Sequence, residues 1–179
     1  VSIFLLGIDQ ASELKEIYLD GTLLENLNGI GLAKNLQILY ASKNKFGCQF
    51  IPDELFNLSA LTDLNLAESM LTGTLSQKII QLSNLQRINL TGNLLSGELL
   101  SQFGQLKALK KLEISNNKWT GTIPSSWTKM TALETLSLEN TEEKTSGITG
   151  PLISFETMPD LRELYLSNNL LTGTISSNF

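Results

Sequence analysis

A period of 24 residues constrains this chain more than any other feature. The segment "LQRINLTGNLLSGELLSQFGQLKA", residues 85–108, is followed by a related segment from Leu109 and preceded by another from Leu61. Counting from Leu85, apolar residues stand at positions 1, 4, 6 and 11, with asparagine at position 9 and glycine at position 13. Repeats of this length fold as stacked units, each burying its apolar side against its neighbours. The chain is therefore predicted to be a solenoid.

Each coil is predicted to contain one strand and one return segment. The alternation of Ile88, Asn89 and Leu90 has the period of a half-buried strand, whereas the wider spacing of Phe103 and Leu106 suits a helical or 3₁₀ segment. Residues 1–13 correspond to a partial coil, and the last coil stops at Phe179. Coils with their strands are predicted to start near residues 14, 36, 61, 85, 109, 133 and 161.

Two irregularities interrupt the period. The coil from Leu36 carries one extra residue around Cys48, and we expect this lone cysteine to be a buried thiol. The coil from Leu133 contains an insertion, "EEKTSG", at residues 142–147. A charged, hydroxyl-rich segment that ends in glycine cannot join an apolar column, so we expect it to form the most mobile internal loop.

Composition argues against several classes of function. The net charge is −5 and the pI is about 4.8, which disfavours binding to nucleic acid through a basic surface. Histidine is absent and Cys48 is the only cysteine, so the chain has no disulfide, no Cys/His zinc site and no Ser-His or Cys-His pair. No carboxylate pair has the inward position that acid–base catalysis needs. We therefore expect no enzyme activity, no cofactor and no metal.

Membrane contact is also not expected from this fragment. No window of the chain reaches the roughly 18 to 20 consecutive apolar residues that a membrane span requires. The apolar start, "VSIFLLGIDQ", lacks the basic flank and cleavage pattern of a signal peptide.

The ninth position of the repeat holds short polar residues that are predicted to point inward. Buried polar side chains must be hydrogen-bonded, and here they can satisfy backbone groups where each strand ends. We interpret this column as structural, not catalytic. Its members are Thr22, Asn44, Ser69, Asn93, Asn117, Thr141 and Asn169.

The third and fifth positions are predicted to face solvent on one side of the sheet. The fifth column contains all three tyrosines of the chain, and tyrosine is enriched in binding sites, although aromatic residues also favour strands in general. The third column has a basic centre between acidic ends, which is also typical of a solvated face. The predicted binding residues are Tyr18, Ile38, Tyr40, Asn65, Arg87, Lys111, Glu113 and Tyr165. Two sequons add candidate glycosylation sites at Asn57 and Asn89.

The complete pattern, "LxxLxLxxNxLxGxIPxxLxxLxxL", resembles the plant-type subclass of leucine-rich repeats over residues 14–179. The glycine of the motif is present as Gly73, Gly97, Gly121, Gly150 and Gly173, each after Ser or Thr. The resemblance implies an α/β solenoid of about seven coils. In such a right-handed superhelix, a parallel sheet lines the concave side, a second short strand lies near the Ser/Thr-Gly step, and short 3₁₀ or helical segments form the convex side. This sequence departs from the pattern in keeping only two Ile-Pro pairs and no cysteine-paired caps.

The same resemblance implies a non-enzymatic recognition module. The subclass includes ectodomains of receptor-like kinases and receptor-like proteins, so we expect a fragment of an extracellular, cell-surface receptor that binds a protein or peptide ligand on its concave face. Polygalacturonase-inhibiting proteins share the subclass, which leaves open a secreted inhibitor of a cell-wall-degrading hydrolase. A structural surface protein is a third interpretation.

Overall fold

A parallel sheet of seven three-residue strands runs through the molecule. The computed structural model describes residues 7–141 and 147–174, and all statements on structure concern these residues. Neighbouring strands pair in register, so that Tyr18 lies opposite Tyr40 and Leu64 opposite Ile88. Identical positions of successive coils therefore form columns, as the period predicts. The strands are β1 (Glu16–Tyr18), β2 (Ile38–Tyr40), β3 (Asp63–Asn65), β5 (Arg87–Asn89), β7 (Lys111–Glu113), β9 (Thr135–Ser137) and β11 (Glu163–Tyr165).

The alternation of side chains across each strand separates core from surface. The central residue of each strand points into the coil, as Leu39 does with no exposed area, while its neighbours Ile38 and Tyr40 remain partly exposed. Each strand starts two residues after the first position of its coil. The third and fifth positions therefore share the solvent face of the seven-stranded sheet.

A second set of short strands lies near the Ser/Thr-Gly step, as the resemblance implies. Three of them form one small sheet and two form another, and a bridge between Thr122 and Thr149 lies between the two sheets. Glycine is required at the Ser/Thr-Gly step because the backbone is left-handed there, with φ of +92° at Gly97. These strands are β4 (Thr72–Gly73), β6 (Leu94–Glu98), β8 (Lys118–Thr120), β10 (Thr149–Pro151) and β12 (Leu170–Thr172).

Six return segments in the described part of the chain are 3₁₀ helices, and this part contains no α-helix. The return segment of the coil from Leu133 contains turns but no 3₁₀ helix. The sequence left helical and 3₁₀ segments open, and helices of three to five residues are typical of the 3₁₀ form, which occurs in short pieces. No described helix has the length and apolarity needed to cross a membrane. The 3₁₀ helices are Ile8–Gln10, Ile30–Leu32, Asp53–Asn57, Gln77–Gln81, Ser101–Gln105 and Ser125–Lys129.

One continuous apolar core fills the coils. Its largest fully buried side chains are Trp127, Phe46, Phe56 and Phe103, and the rings of Phe103 and Trp127 meet edge to face at 5.7 Å. Burial of each large apolar side chain contributes roughly 1.5 to 3 kcal/mol. Stacking of the columns, not a single cluster, therefore holds the solenoid together.

A ladder of buried amides crosses this core, which confirms the prediction for Asn93 and Asn117. Asn93 is only 4% exposed, and its Oδ1 accepts hydrogen bonds from the backbone N–H groups of Ser69 and Leu71. Its Nδ2 donates to the carbonyl oxygens of Leu66 and Leu90, each at 2.9 Å. Asn117 and Asn44 make equivalent bonds. The ninth column satisfies backbone groups of its own coil and of the preceding one.

The prediction for Thr141 in this column is wrong. Thr141 is exposed, whereas the preceding residue, Asn140, is buried and donates from Nδ2 to the Asn168 carbonyl oxygen and to Asn169 Oδ1. The chain leaves the repeat pattern at this point, so the inward position moves back by one residue. Residues 142–146 of the insertion lie outside the described residues, and Gly147 is buried.

The expectation of a buried thiol at Cys48 is also wrong. Both Gly47 and Cys48 have left-handed backbones, with φ of +60° and +61°, and Cys48 is exposed. Two successive left-handed residues accommodate the extra residue of this coil and turn Cys48 outward. Phe46 occupies the core in this coil.

Candidate ligand-binding face

The predicted binding residues lie on the solvent face of the seven-stranded sheet, the concave side of such a solenoid. Tyr18 is 57% exposed and Tyr165 is 44% exposed, and Arg87 is also exposed. Ile38, Tyr40, Asn65, Lys111 and Glu113 are partly exposed. Two further members of the third column, Asp63 and Thr135, are buried by their neighbours on this face.

Tyr18 and Tyr40 form an aromatic pair at the start of the sheet. Their rings meet edge to face, with centroids 5.4 Å apart and planes at 85°, a preferred geometry for aromatic side chains. The Tyr18 hydroxyl donates a hydrogen bond to Glu16 Oε2 at 3.0 Å. This bond to a carboxylate raises the pKa of Tyr18, with smaller contributions from desolvation and from the negative charge of Glu16. The pair is thus oriented before any ligand arrives.

A charged pair anchors the next part of the face. Arg87 Nε donates to Asp63 Oδ1, and the Thr62 hydroxyl donates to Asp63 Oδ2 at 2.8 Å. The side chain of Asp63 is 3% exposed, so its charge is compensated within the fold. The hydrogen bond that Arg87 donates to Asp63 raises the pKa of Arg87 above its ordinary value. Arg87 and Asp63 therefore link two adjacent strands on this face.

Ion pairs compensate part of the positive charge that was predicted at the centre of the face. Arg87 is paired with Asp63, and Lys110 Nζ lies 4.0 Å from Glu134 Oε1, so much of the positive charge is compensated. The sequence contained the signal for the first pair, because Asp63 and Arg87 occupy the same position in adjacent coils. The residue types within one column do not show the Asp63–Arg87 pair, because the pair joins two adjacent coils.

Asn65 and Asn89 have a structural function that the sequence analysis missed. The Oδ1 atom of each accepts the backbone N–H of the residue two positions later, Ala67 at 3.1 Å and Thr91 at 2.9 Å. These local bonds close the end of a strand, as short polar side chains often do. Asn57 is exposed at the end of its 3₁₀ helix, and glycosylation at Asn57 or Asn89 stays a prediction.

Tyr165 lies apart from the aromatic pair. It stands five strands beyond Tyr40, about 24 Å away at the usual strand spacing. Its neighbour on the same face, Glu163, accepts a hydrogen bond from the Thr135 hydroxyl at 2.9 Å. The structure thus brings together Tyr18, Ile38, Tyr40 and Arg87, and leaves Tyr165 as a separate exposed aromatic residue.

The repeat is also recognised by comparison with known families. A family model described as Leucine Rich Repeat matches residues 84–106, 108–130 and 160–179. No curated protein matches the sequence significantly.

Solved structures of leucine-rich-repeat proteins superimpose closely on this chain. The ectodomain of the Arabidopsis thaliana receptor kinase GASSHO1/SCHENGEN3, in complex with CASPARIAN STRIP INTEGRITY FACTOR 2, has a TM-score of 0.86 and 26% identity, covering 97% of this chain and 20% of that chain. A leucine-rich-repeat protein of Leptospira interrogans has a TM-score of 0.78 and 31% identity, covering 92% and 40%.

A third similar structure was solved with its ligand and a second receptor. The Arabidopsis receptor kinase HAESA, in complex with the peptide hormone IDA and the co-receptor SERK1, has a TM-score of 0.74 and 29% identity, covering 83% of this chain and 24% of that chain. The chain spans between about a fifth and two fifths of the length of these three structures. The repeat motif, the two sets of strands and these likenesses together support a leucine-rich-repeat domain of the plant type.

Proposed function

We propose that this domain binds a peptide or protein ligand on its concave face and forms part of the extracellular region of a cell-surface receptor. Leucine-rich-repeat domains are generally non-enzymatic interaction modules. The similar plant structures are receptor ectodomains, and two of them were solved with a ligand bound. The observation that carries the proposal is the exposed Tyr18–Tyr40 pair on the sheet face.

This surface loses little conformational entropy when a ligand binds. Tyrosine offers a large contact area with few rotatable bonds, and interface hot spots are often tyrosine, tryptophan or arginine. The Tyr18 hydroxyl is already bonded to Glu16, and Arg87 is held by Asp63. These side chains are already held in place in the free protein. Binding therefore costs little additional side-chain entropy.

The spacing of the aromatic residues favours an extended ligand. Tyr18 and Tyr40 lie in adjacent strands, whereas Tyr165 is separated from Tyr40 by five strands, or about 24 Å. A ligand that contacts both regions must run along the stack, across the strands. An extended peptide of about eight residues is long enough to cover that distance.

A displayed library of random peptides tests this proposal. Peptides selected on the 179-residue chain are titrated against the parent protein, Tyr40→Ala and Tyr18→Ala. Loss of a hot-spot tyrosine costs about 2 kcal/mol or more, so we expect affinity to fall about thirtyfold for Tyr40→Ala. Glu139→Ala, a partly exposed position outside the third and fifth columns, serves as the control and should change affinity little.

Two results would contradict the proposal. Equal affinity of parent and Tyr40→Ala for every selected peptide removes the aromatic pair from the site. Selection of peptides whose binding is blocked only by substitutions on the convex side places the ligand elsewhere. The proposed receptor function is tested separately by the complete reading frame. If the protein is a cell-surface receptor of this kind, the reading frame must encode a membrane span after the repeats.

A further inference from the structure

A polar pocket lies on the flank of the solenoid, away from the seven-stranded sheet. It has a volume of about 430 Å³ and opens between the second strands and the 3₁₀ helices of the coils that start at Leu85 and Leu109. Glu98, Leu100 and Gln102 line one side, and Gly121, Thr122 and Pro124 line the other. The volume is within the range of about 300 to 1,000 Å³ that is typical of small-molecule sites.

Glu98 is the unusual residue of this pocket. The corresponding positions of neighbouring coils hold Thr74, Thr122 and Pro151, so Glu98 places a charge where the other coils have none. Its side chain lies across Gly121, where an added Cβ would be 3.1 Å from Glu98 Cγ and 3.4 Å from Cδ. Within the described part of the chain, the Glu98 carboxylate makes no hydrogen bond or ion pair. A side chain directed along the pocket is therefore free to bind a ligand.

The other polar groups of the pocket both donate and accept hydrogen bonds. Gln77 and Gln102 supply amides, and Ser101 and Thr122 supply hydroxyls. A cation uses only acceptors, and an anion is repelled by Glu98, whereas a ligand rich in hydroxyl groups uses donors and acceptors together. Leu100 and Pro124 add apolar contact area. We propose that this flank pocket binds a short, uncharged oligosaccharide.

The floor of the pocket is held by two hydrogen bonds to its backbone. Trp127 Nε1 donates to the Leu100 carbonyl oxygen at 2.8 Å, and Ser126 Oγ donates to the Ser101 carbonyl oxygen at 2.7 Å. Trp127 has no exposed area, so the backbone that presents Leu100 and Ser101 is held from inside the core. A preformed floor lowers the entropic cost of binding a small ligand. The flank pocket and the concave face use different residues, so the two proposals are tested independently.

Titration followed by ¹⁵N–¹H NMR tests the flank pocket. Cellobiose, xylobiose and maltose are added to the 179-residue chain, and Nα-acetyl-lysine N-methylamide, whose side-chain ammonium group is free, serves as the cationic probe. We expect at least one disaccharide to shift the amide signals of Ser101, Gln102 and Gly121, with a Kd on the order of 1 mM. The lysine probe should leave these signals unchanged.

Two substitutions separate the sugar from the cation. Glu98→Thr restores the residue of the neighbouring coils and should weaken sugar binding at least about tenfold, because the shorter side chain no longer reaches the ligand and its hydrogen bonds are lost. Glu98→Gln keeps the length and shape of the side chain and one acceptor oxygen, and its amide can also donate to a sugar hydroxyl, so sugar affinity should stay within about threefold of the parent. Gln105→Ala, on the same 3₁₀ helix as Gln102 but outside the pocket, is the matched control.

Three outcomes would overturn the proposal. The first is the absence of shifts at these amides with all three sugars up to concentrations on the order of 10 mM. The second is a sugar affinity that Glu98→Thr leaves unchanged. The third is binding of the lysine probe that Glu98→Gln abolishes, which assigns the pocket to cationic side chains. The unperturbed signals of each variant outside the pocket show that it is folded.

Discussion

Replacing Asn93 by leucine tests the amide ladder that connects the coils. The substitution keeps the branching and the number of heavy atoms in the side chain but removes every polar atom, so water cannot easily take the place of the amide. Asn93 is buried, and its four shortest hydrogen bonds reach backbone groups in two adjacent coils. The expected effect is therefore the cost of leaving those groups without partners.

The structure allows that cost to be counted group by group. Without Asn93, the N–H groups of Ser69 and Leu71 and the carbonyl of Leu66 lose their partners. The carbonyl of Leu90 keeps a bond from Asn117 Nδ2 at 2.9 Å. Each buried, unpaired group costs about 1 to 3 kcal/mol, so we expect Asn93→Leu to lower the free energy of unfolding by about 3 kcal/mol or more.

Asn117→Leu should also destabilise the fold. The carbonyl of Leu90 keeps its bond from Asn93, that of Ile114 keeps Trp119 Nε1, and that of Ser115 keeps the Gly92 N–H. The Leu95 N–H, in contrast, loses its bond to Asn117 Oδ1. We therefore expect a loss of at least about 1 kcal/mol in the free energy of unfolding.

Urea unfolding followed by tryptophan fluorescence measures both variants. Trp119 and Trp127 are buried in the coil that follows the coil of Asn93, so their emission reports unfolding close to the substitution. Asn84→Leu is the matched control, because Asn84 is exposed and its amide makes one hydrogen bond, to the Ser59 carbonyl oxygen. An Asn93→Leu midpoint equal to that of Asn84→Leu, at an unchanged m-value, would refute the reasoning.

Two further predictions concern a glycine and a tyrosine. Gly150→Ala should lower the free energy of unfolding by about 1 to 3 kcal/mol, because φ is +79° and the new Cβ lies 2.8 Å from Thr122 Cγ2. Gly147→Ala is the control, since Gly147 has no positive φ, and it should be nearly neutral in the same urea experiment. The pKa of Tyr18 should lie above its ordinary value near 10.0, and Glu16→Gln should lower it in an ultraviolet titration of a Tyr40→Phe/Tyr165→Phe background. Since the raised pKa favours the neutral phenol in the folded state, its contribution to stability is present below the unfolded pKa and is lost as pH rises through the folded value. An unchanged tyrosinate titration in Glu16→Gln would contradict this assignment.

The strand columns were predictable because the interior of a solenoid repeats one environment. Parallel pairing places position 4 of one coil beside position 4 of the next, so Leu64, Ile88 and Leu112 experience the same packing and show the same apolar type. The same argument predicted the burial of Asn93 and Asn117. Wherever the coil length is constant, the 24-residue period is sufficient to predict which residues point into the core.

The errors lie where coil length changes. Cys48 lies in a coil with one extra residue, and the left-handed backbone conformations of Gly47 and Cys48 turn it outward. Thr141 precedes an insertion, and Asn140 occupies the buried position in its place. Backbone conformation at an irregular turn depends on local sterics that a column pattern does not contain. The Asp63–Arg87 pair was missed for another reason, since it is an interaction between coils and not a property of one column.

The separation of columns also explains why the binding proposal is testable with single substitutions. Because side chains alternate across each strand, Tyr18 and Tyr40 project from the sheet while the central residues Ile17 and Leu39 pack into the coil. Truncating a tyrosine therefore removes contact area without opening a core cavity. Asp63 is the exception, since it is buried on the same face and compensates Arg87; Asp63→Ala would leave that guanidinium without its carboxylate and alter the fold and the face together. A loss of binding in Tyr40→Ala with an unchanged unfolding midpoint can thus be assigned to recognition, whereas the same loss in Asp63→Ala cannot.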